Sequence, residues 1–127
     1  NSSVTGEVIA LMHQALAEVE ANYKGMIIAG SGKNFCVGAN LPMILNYAQE
    51  KNWNALEELS ASFQKMNMAI KYCSKPIIAA PYGMTLGGGA EITMHCSTVC
   101  AGRDQYGAGG NRSRAYTGGR RDKRIID

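Results

Sequence analysis

The sequence predicts an α/β fold on a largely parallel sheet, and three observations carry that prediction. Two short unbroken apolar runs, "GMIIAG" (25–30) and "PIIAAPYG" (76–83), read as buried strands because they are brief and bounded by glycine or proline. Segments with apolar residues at helical spacing lie before and between them, so strand follows strand through helical crossovers, the connection that parallel pairing needs. Each run also opens into a loop of small residues, "CVGANL" and "TLGGGAE", that feeds another helical segment.

The elements follow in order. "VTGEVIALMHQALAEVEAN" places Val8, Leu11, Met12, Leu16 and Val19 on one helical stripe, with Thr5 as N-cap and His13 beside the stripe. Residues 25–30 then form a strand expected to be buried on both faces, and a short helix begins at Leu41. From Asn52 to Tyr72 a long helix is predicted, with Trp53, Leu56, Leu59, Phe63, Met66, Met68, Ile70 and Tyr72 as its apolar positions. The second strand is framed by Pro76 and Pro81, placed where a missing N–H is tolerated. A glycine-rich turn opens a helix near Gly88 that carries Glu91, Ile92 and Met94, and "STVCAG" (97–102) reads as a third short strand.

Composition narrows the class. The chain has 127 residues, the size of one small domain or part of a larger one, and an apolar fraction of 46% suits a globular protein. No run of about 18 apolar residues exists to span a membrane, and residues 1–20 lack the order of a signal peptide, which together point to the cytoplasm. Charge is uneven: residues 1–102 hold six Lys against seven Glu, whereas residues 103–127 hold seven Arg or Lys against three Asp. All the net basicity therefore sits in the tail. Cys36, Cys73, Cys96 and Cys100 lack the spacing of a disulfide scaffold or a zinc site and are expected as reduced, mostly buried thiols. His95, Cys96 and Cys100 lie close together, but no second ligand pair accompanies them, so no metal is assigned.

The two glycine loops are where chemistry is expected. In open α/β sheets ligands collect where strands end and helices begin, and helix N-termini there present unpaired N–H groups. Glycine removes the Cβ that would hold a ligand away from the backbone. Two N–H groups converging on one oxygen would form an oxyanion hole. Glu91, about one helical turn after Gly88, could act beside it as an acid or base if partly shielded from water. The plainer alternative is an acidic residue favoured by the helix dipole in a first turn. "TLGGGAE" is neither a phosphate loop nor a GxGxxG motif.

The pair "GSGKNFCVGANL" and "KPIIAAPYGMTLGGGAEITMHC" resembles the enoyl-CoA hydratase (crotonase) superfamily, over residues 1 to about 106. The likeness is nearest to the hydratase domain of bacterial fused hydratase/3-hydroxyacyl-CoA dehydrogenase proteins of fatty acid β-oxidation. It implies an incomplete crotonase-like fold over residues 1–105 and an acyl-CoA thioester substrate, with coenzyme A entering as part of the substrate and no separate cofactor. It implies oxyanion-hole amides at Ala39 and Gly88, with Gly38, Asn40, Leu41, Gly87 and Gly89 shaping the substrate-binding surface. Glu91 matches the first of two hydratase glutamates, and Asn40 stands where many relatives carry Asp. The intact relative would hydrate 2-enoyl-CoA and assemble as a homo-oligomer or with a fused dehydrogenase domain. The other readings are a family isomerase or hydrolase sharing the oxyanion hole, and a non-catalytic acyl-CoA-binding or scaffold module.

The second glutamate of the family falls, by count, on Asn111, inside the Gly/Arg-rich tail of residues 106–127. Plausible codons from Tyr106 onward, read one base later, give Thr-Gly-Leu-Val-Glu-Ile-Gly-Pro-Gly-Leu-Ile-Pro-Ala-Gly-Gly-Gly-Thr-Lys, which resembles the missing family stretch. A frame break near Tyr106 would therefore explain a disordered basic tail and return Glu to position 111. The competing reading, RNA held by tail arginines with Tyr106 and Tyr116 stacking, is the lesser one. A fragment of this kind is expected to expose apolar surface and to have little or no hydratase activity.

Overall fold

The computed structural model describes residues 3–100 and the backbone of residues 115–118 and 123–126. Helix α1 spans Gly6–Asn22, α2 Leu41–Gln49, α3 Trp53–Tyr72 and α4 Gly88–His95; strands are β1 Met26–Ala29, β2 Ile77–Ala80, β3 Thr98–Cys100, β4 Ala115–Gly118 and β5 Lys123–Ile126. The sheet runs in the order β1-β2-β3-β4-β5. β1, β2 and β3 pair in parallel, with Met26 opposite Ile77 and Ile78 opposite Thr98. The α2–α3 segment makes the first crossover and α4 the second, as the alternating sequence pattern requires. β4 and β5 add antiparallel ladders beyond β3, which the sequence reading did not expect. The rest of the tail, including Tyr106 and Asn111, lies outside the described residues, and with it the test of a frame break or an RNA-binding ribbon.

Local chemistry sets the helix ends. Thr5 Oγ1 accepts from Val8 N at 3.3 Å, and Asn52 Oδ1 accepts from Ala55 N at 3.2 Å, each satisfying a first-turn amide that the helix leaves open. α3 stops before Pro76, whose carbonyl accepts from Met26 N at 3.0 Å and so starts the β1–β2 ladder. Ser74 N donates to Glu20 Oε1 at 2.7 Å, joining the end of α1 to the turn after α3; these bonds hold the Glu20 carboxyl below the usual range.

The core lies on one face of the sheet. Met66, Ile70 and Ile77 are its largest fully buried side chains, joined by Ile9, Leu16, Val19, Ala79 and Ile92. Alternation along the strands leaves the opposite face open: Ile27 is 66% exposed, so β1 is not buried on both faces as expected. The physical reason is that Met26, Ile28, Ile77 and Ala79 face the core, while no described helix covers the other side. The α1 stripe is likewise rotated: Ile9, Leu16 and Val19 are buried, and Val8 and Leu11 are exposed. In α3, Trp53, Met68 and Tyr72 fall outside the buried face for the same reason of phase.

All four cysteines are free; Cys36 and Cys96 are buried, Cys73 half-buried and Cys100 exposed. Burial pushes the Cys96 thiol up to about 12. The unfolded chain therefore releases this proton from about pH 8.5 upward while the folded chain keeps it, so stability contributed by this group is lost as pH rises. Iodoacetamide should alkylate Cys100 ahead of Cys36 and Cys96, read by peptide mass analysis after partial reaction. Equal rates at Cys100 and Cys96 would contradict the placement of Cys96 in the core.

Candidate active site

The loops after β1 and β2 run side by side, continuing the parallel ladder past the strands. Phe35 N donates to Tyr82 O at 2.9 Å, Cys36 N to Met84 O at 3.3 Å, and Leu86 N to Cys36 O at 2.9 Å. Met84 N donates to Asn34 Oδ1 at 2.9 Å, and Cys36 bridges Thr85. The first loop is pinned from its other side by Val4, whose N donates to Gly38 O at 2.8 Å and which bridges Ala39. Among the described residues neither the Ala39 nor the Gly88 amide donates to a backbone carbonyl.

Two glycines let the loops close to this distance. Gly38 has φ +96°, and a Cβ there would stand 3.3 Å from Leu86 O and 3.6 Å from Gly88 N. Gly89 packs flat on the first loop, where a Cβ would lie 2.5 Å from Cys36 O. Gly87 caps α4 with no side-chain hydrogen bond, so no side chain occupies the open amides of its first turn.

An apolar cavity of about 230 Å³ opens where these loops meet α1, α2 and α3. Ala39, Gly88 and Glu91 line it on the loop side; Val4, Ile9, Ile44, Leu56, Leu59 and Phe63 supply the apolar wall. The structure thus brings three of the sequence-expected residues to one space. Gly38, Asn40, Leu41, Gly87 and Gly89 do not line it: Leu41 is 67% exposed at the start of α2, and the glycines shape the loops. Asn40 is the α2 N-cap, its Oδ1 accepting from Met43 N at 3.3 Å. Asn40→Ala should cost about 1 kcal/mol of stability and Asn40→Asp close to nothing, measured by urea unfolding.

Glu91 sits in the first turn of α4, and its side chain is exposed. The partial shielding expected for it is not supplied by the described residues, because it stands at the rim of the cavity rather than within it. Its backbone is well held: Glu91 N donates to Gly87 O at 3.0 Å, and His95 Nδ1 donates to Glu91 O at 2.6 Å, which places the ring proton on Nδ1. Among the described residues no three His, Cys, Asp or Glu side chains are grouped to hold a metal ion, and no helix is long and apolar enough to cross a membrane.

Sequence reasoning missed the cavity wall. The positions Leu56, Leu59 and Phe63 were visible as an apolar helical stripe, but periodicity does not distinguish a face packed on a core from one packed on an empty space.

Residues 2–108 match the enoyl-CoA hydratase/isomerase family. A Bacillus subtilis (strain 168) protein, whose name assigns it 3-hydroxyacyl-CoA dehydrogenase activity, is 46% identical over 100 residues, covering 79% of this chain and 13% of that protein. A crotonyl-CoA hydratase of Syntrophomonas wolfei is 37% identical over 86 residues, covering 65% of this chain and 31% of its own length. The chain therefore spans less than a third of either relative. Its fold is that of a carnitinyl-CoA dehydratase from Mycobacterium thermoresistibile, with a TM-score of 0.72, 22% identity, and coverage of 78% of this chain and 30% of that one. By the extent of the family match and the identity to these relatives, the chain belongs to the enoyl-CoA hydratase/isomerase family.

Proposed function

We propose that this chain carries the thioester-binding half of a 2-enoyl-CoA hydratase. The observation that carries the reading is the meeting of Ala39 and Gly88, whose amides donate to no backbone carbonyl among the described residues, at one apolar cavity that Glu91 also lines. The thioester carbonyl oxygen of an acyl-CoA would accept from both amides, and the acyl chain would lie along Val4, Leu56, Leu59 and Phe63. In hydration the oxygen of water bonds to the β-carbon while the C=C electron pair moves through the α-carbon onto the thioester oxygen. Two fixed N–H donors stabilise the enolate as it forms, each by about 3 kcal/mol. Glu91 accepts a proton from the water as its oxygen bonds to the β-carbon, and a second carboxyl group, in its acid form, donates a proton to the α-carbon as the enolate collapses back to the thioester.

That second carboxylate belongs to the stretch in which a frame break near Tyr106 would restore Glu at position 111; the end of the family match at residue 108 supports this placement. In the whole protein a dehydrogenase domain would oxidise the 3-hydroxyacyl product, consistent with the name of the Bacillus subtilis relative. The protein acts in the cytoplasm, as a homo-oligomer or fused enzyme, and takes coenzyme A only as part of its substrate. The cavity volume, about 230 Å³, is below the ~300–1,000 Å³ of sites for drug-sized ligands and suits a short acyl chain.

The test is calorimetric titration of the 127-residue chain with crotonyl-CoA, together with a hydration assay that follows loss of the enoyl absorbance. Binding with little or no turnover is expected, and turnover returns when the frame is restored. Robust hydration by the chain as it stands would overturn the two-carboxylate mechanism, and absence of binding would overturn the assignment of the cavity.

A further inference from the structure

A second space, a groove of about 350 Å³, lies between α1 and α3 and shares Ile9 and Leu59 with the apolar cavity. Its character is different: His13, Ser62 and Lys65 line it, and among the described residues no carboxylate does. Ser62 and Lys65 are exposed and His13 half-buried, and among the described residues the Lys65 ammonium has no ion-pair partner. Among the described residues those around the groove come from α1 and α3, whereas Ala39, Gly88 and Glu91 bound the cavity from the loops and α4. The groove therefore adjoins the cavity at Ile9 and Leu59, and Ala39, Gly88 and Glu91 are not among its lining residues.

We propose that the α1–α3 groove is a subsite for a carboxylate at the far end of the acyl chain, so that the preferred ligand is a short acyl-CoA with a terminal acid group. The proposal rests on the acyl-thioester reading of the cavity. A chain whose thioester oxygen sits at Ala39 and Gly88 runs along the apolar wall to Ile9 and Leu59, the side chains common to both spaces. Past them it meets Lys65, Ser62 and His13. A terminal methyl there gains nothing from these groups, whereas a carboxylate accepts a charge-assisted hydrogen bond from Lys65 Nζ and a further one from Ser62 Oγ. The same residues leave the reacting end untouched, so they select the ligand without entering the proton transfers.

The experiment is calorimetric titration of the 127-residue chain with hexanoyl-CoA and with adipoyl-CoA, which share a six-carbon acyl skeleton and differ in the terminal group. Adipoyl-CoA should bind about tenfold more tightly. Lys65→Met should bring the two affinities together without changing that for hexanoyl-CoA, and Lys65→Arg should keep the preference. His13→Gln should narrow it. Equal binding of the two thioesters by the parent chain would overturn the subsite while leaving the cavity assignment intact, as would a preference that survives both Lys65→Met and His13→Gln. Failure of both thioesters to bind would overturn the subsite and the cavity assignment together.

Discussion

Gly89→Ala should destabilise the fold by about 3 kcal/mol, the upper part of the range for overpacking a close contact. The added methyl would stand 2.5 Å from Cys36 O, 2.7 Å from Cys36 Cβ and 3.1 Å from Cys36 C. None of these is the far end of a flexible side chain. Relief requires the first loop to move, and that loop is held by the Cys36–Thr85 bridge and by the bond from Leu86 N to Cys36 O. Gly6→Ala is the control: it begins α1 with nothing within 4 Å of the new methyl, and alanine is the better helix former, so stability should be unchanged or slightly raised. Urea unfolding followed by far-UV circular dichroism measures both. A Gly89→Ala variant as stable as its parent would mean that the two loops are not packed as described.

Glu91→Gln should lower hydration of crotonyl-CoA by about 10²- to 10⁴-fold in the frame-restored protein, the usual contribution of a positioned acid or base. Crotonyl-CoA affinity should change little, because in the proposed mode the backbone amides and the apolar wall, not Glu91, would hold the thioester. Glutamine keeps the shape and the first-turn position of the side chain, so the loss would report the carboxylate and not the packing of α4. Retained rate with retained binding would remove Glu91 from the chemistry and favour a family member that uses the oxyanion hole with other acid or base groups.

Much of this arrangement was legible in the residues. Thr5 reads as a capping residue, Pro76 and the glycine-bounded runs delimit the strands, and "TLGGGAE" marks the turn into α4, whereas the caps at Asn40 and Asn52 emerge only from the structure. What the residues did not reveal depends on contacts between distant segments. Ile27 and Ile28 are chemically alike, and only the placement of helices on one side of the sheet makes one exposed and the other part of the core boundary. Leu59 and Met66 belong to one helical face, yet Leu59 borders two open spaces while Met66 is fully buried in the core. Glu91 was found by its spacing from Gly88, but its position at the rim rather than inside the cavity follows from where α4 docks on α3.

The parallel ladder between β1 and β2 also constrains time. Met26 cannot meet Ile77 until the whole of α2 and α3 has been gathered between them, a loop closure with a large entropic barrier and little local reward. Helical turns in α1 and α3 form from near neighbours and supply the surface on which the strands then collect. The loops beyond the two strands continue that ladder, so Cys36 and Thr85 meet across the same long intervening segment. Any ligand that needs both loops in place therefore binds only the finished state and stabilises it by mass action.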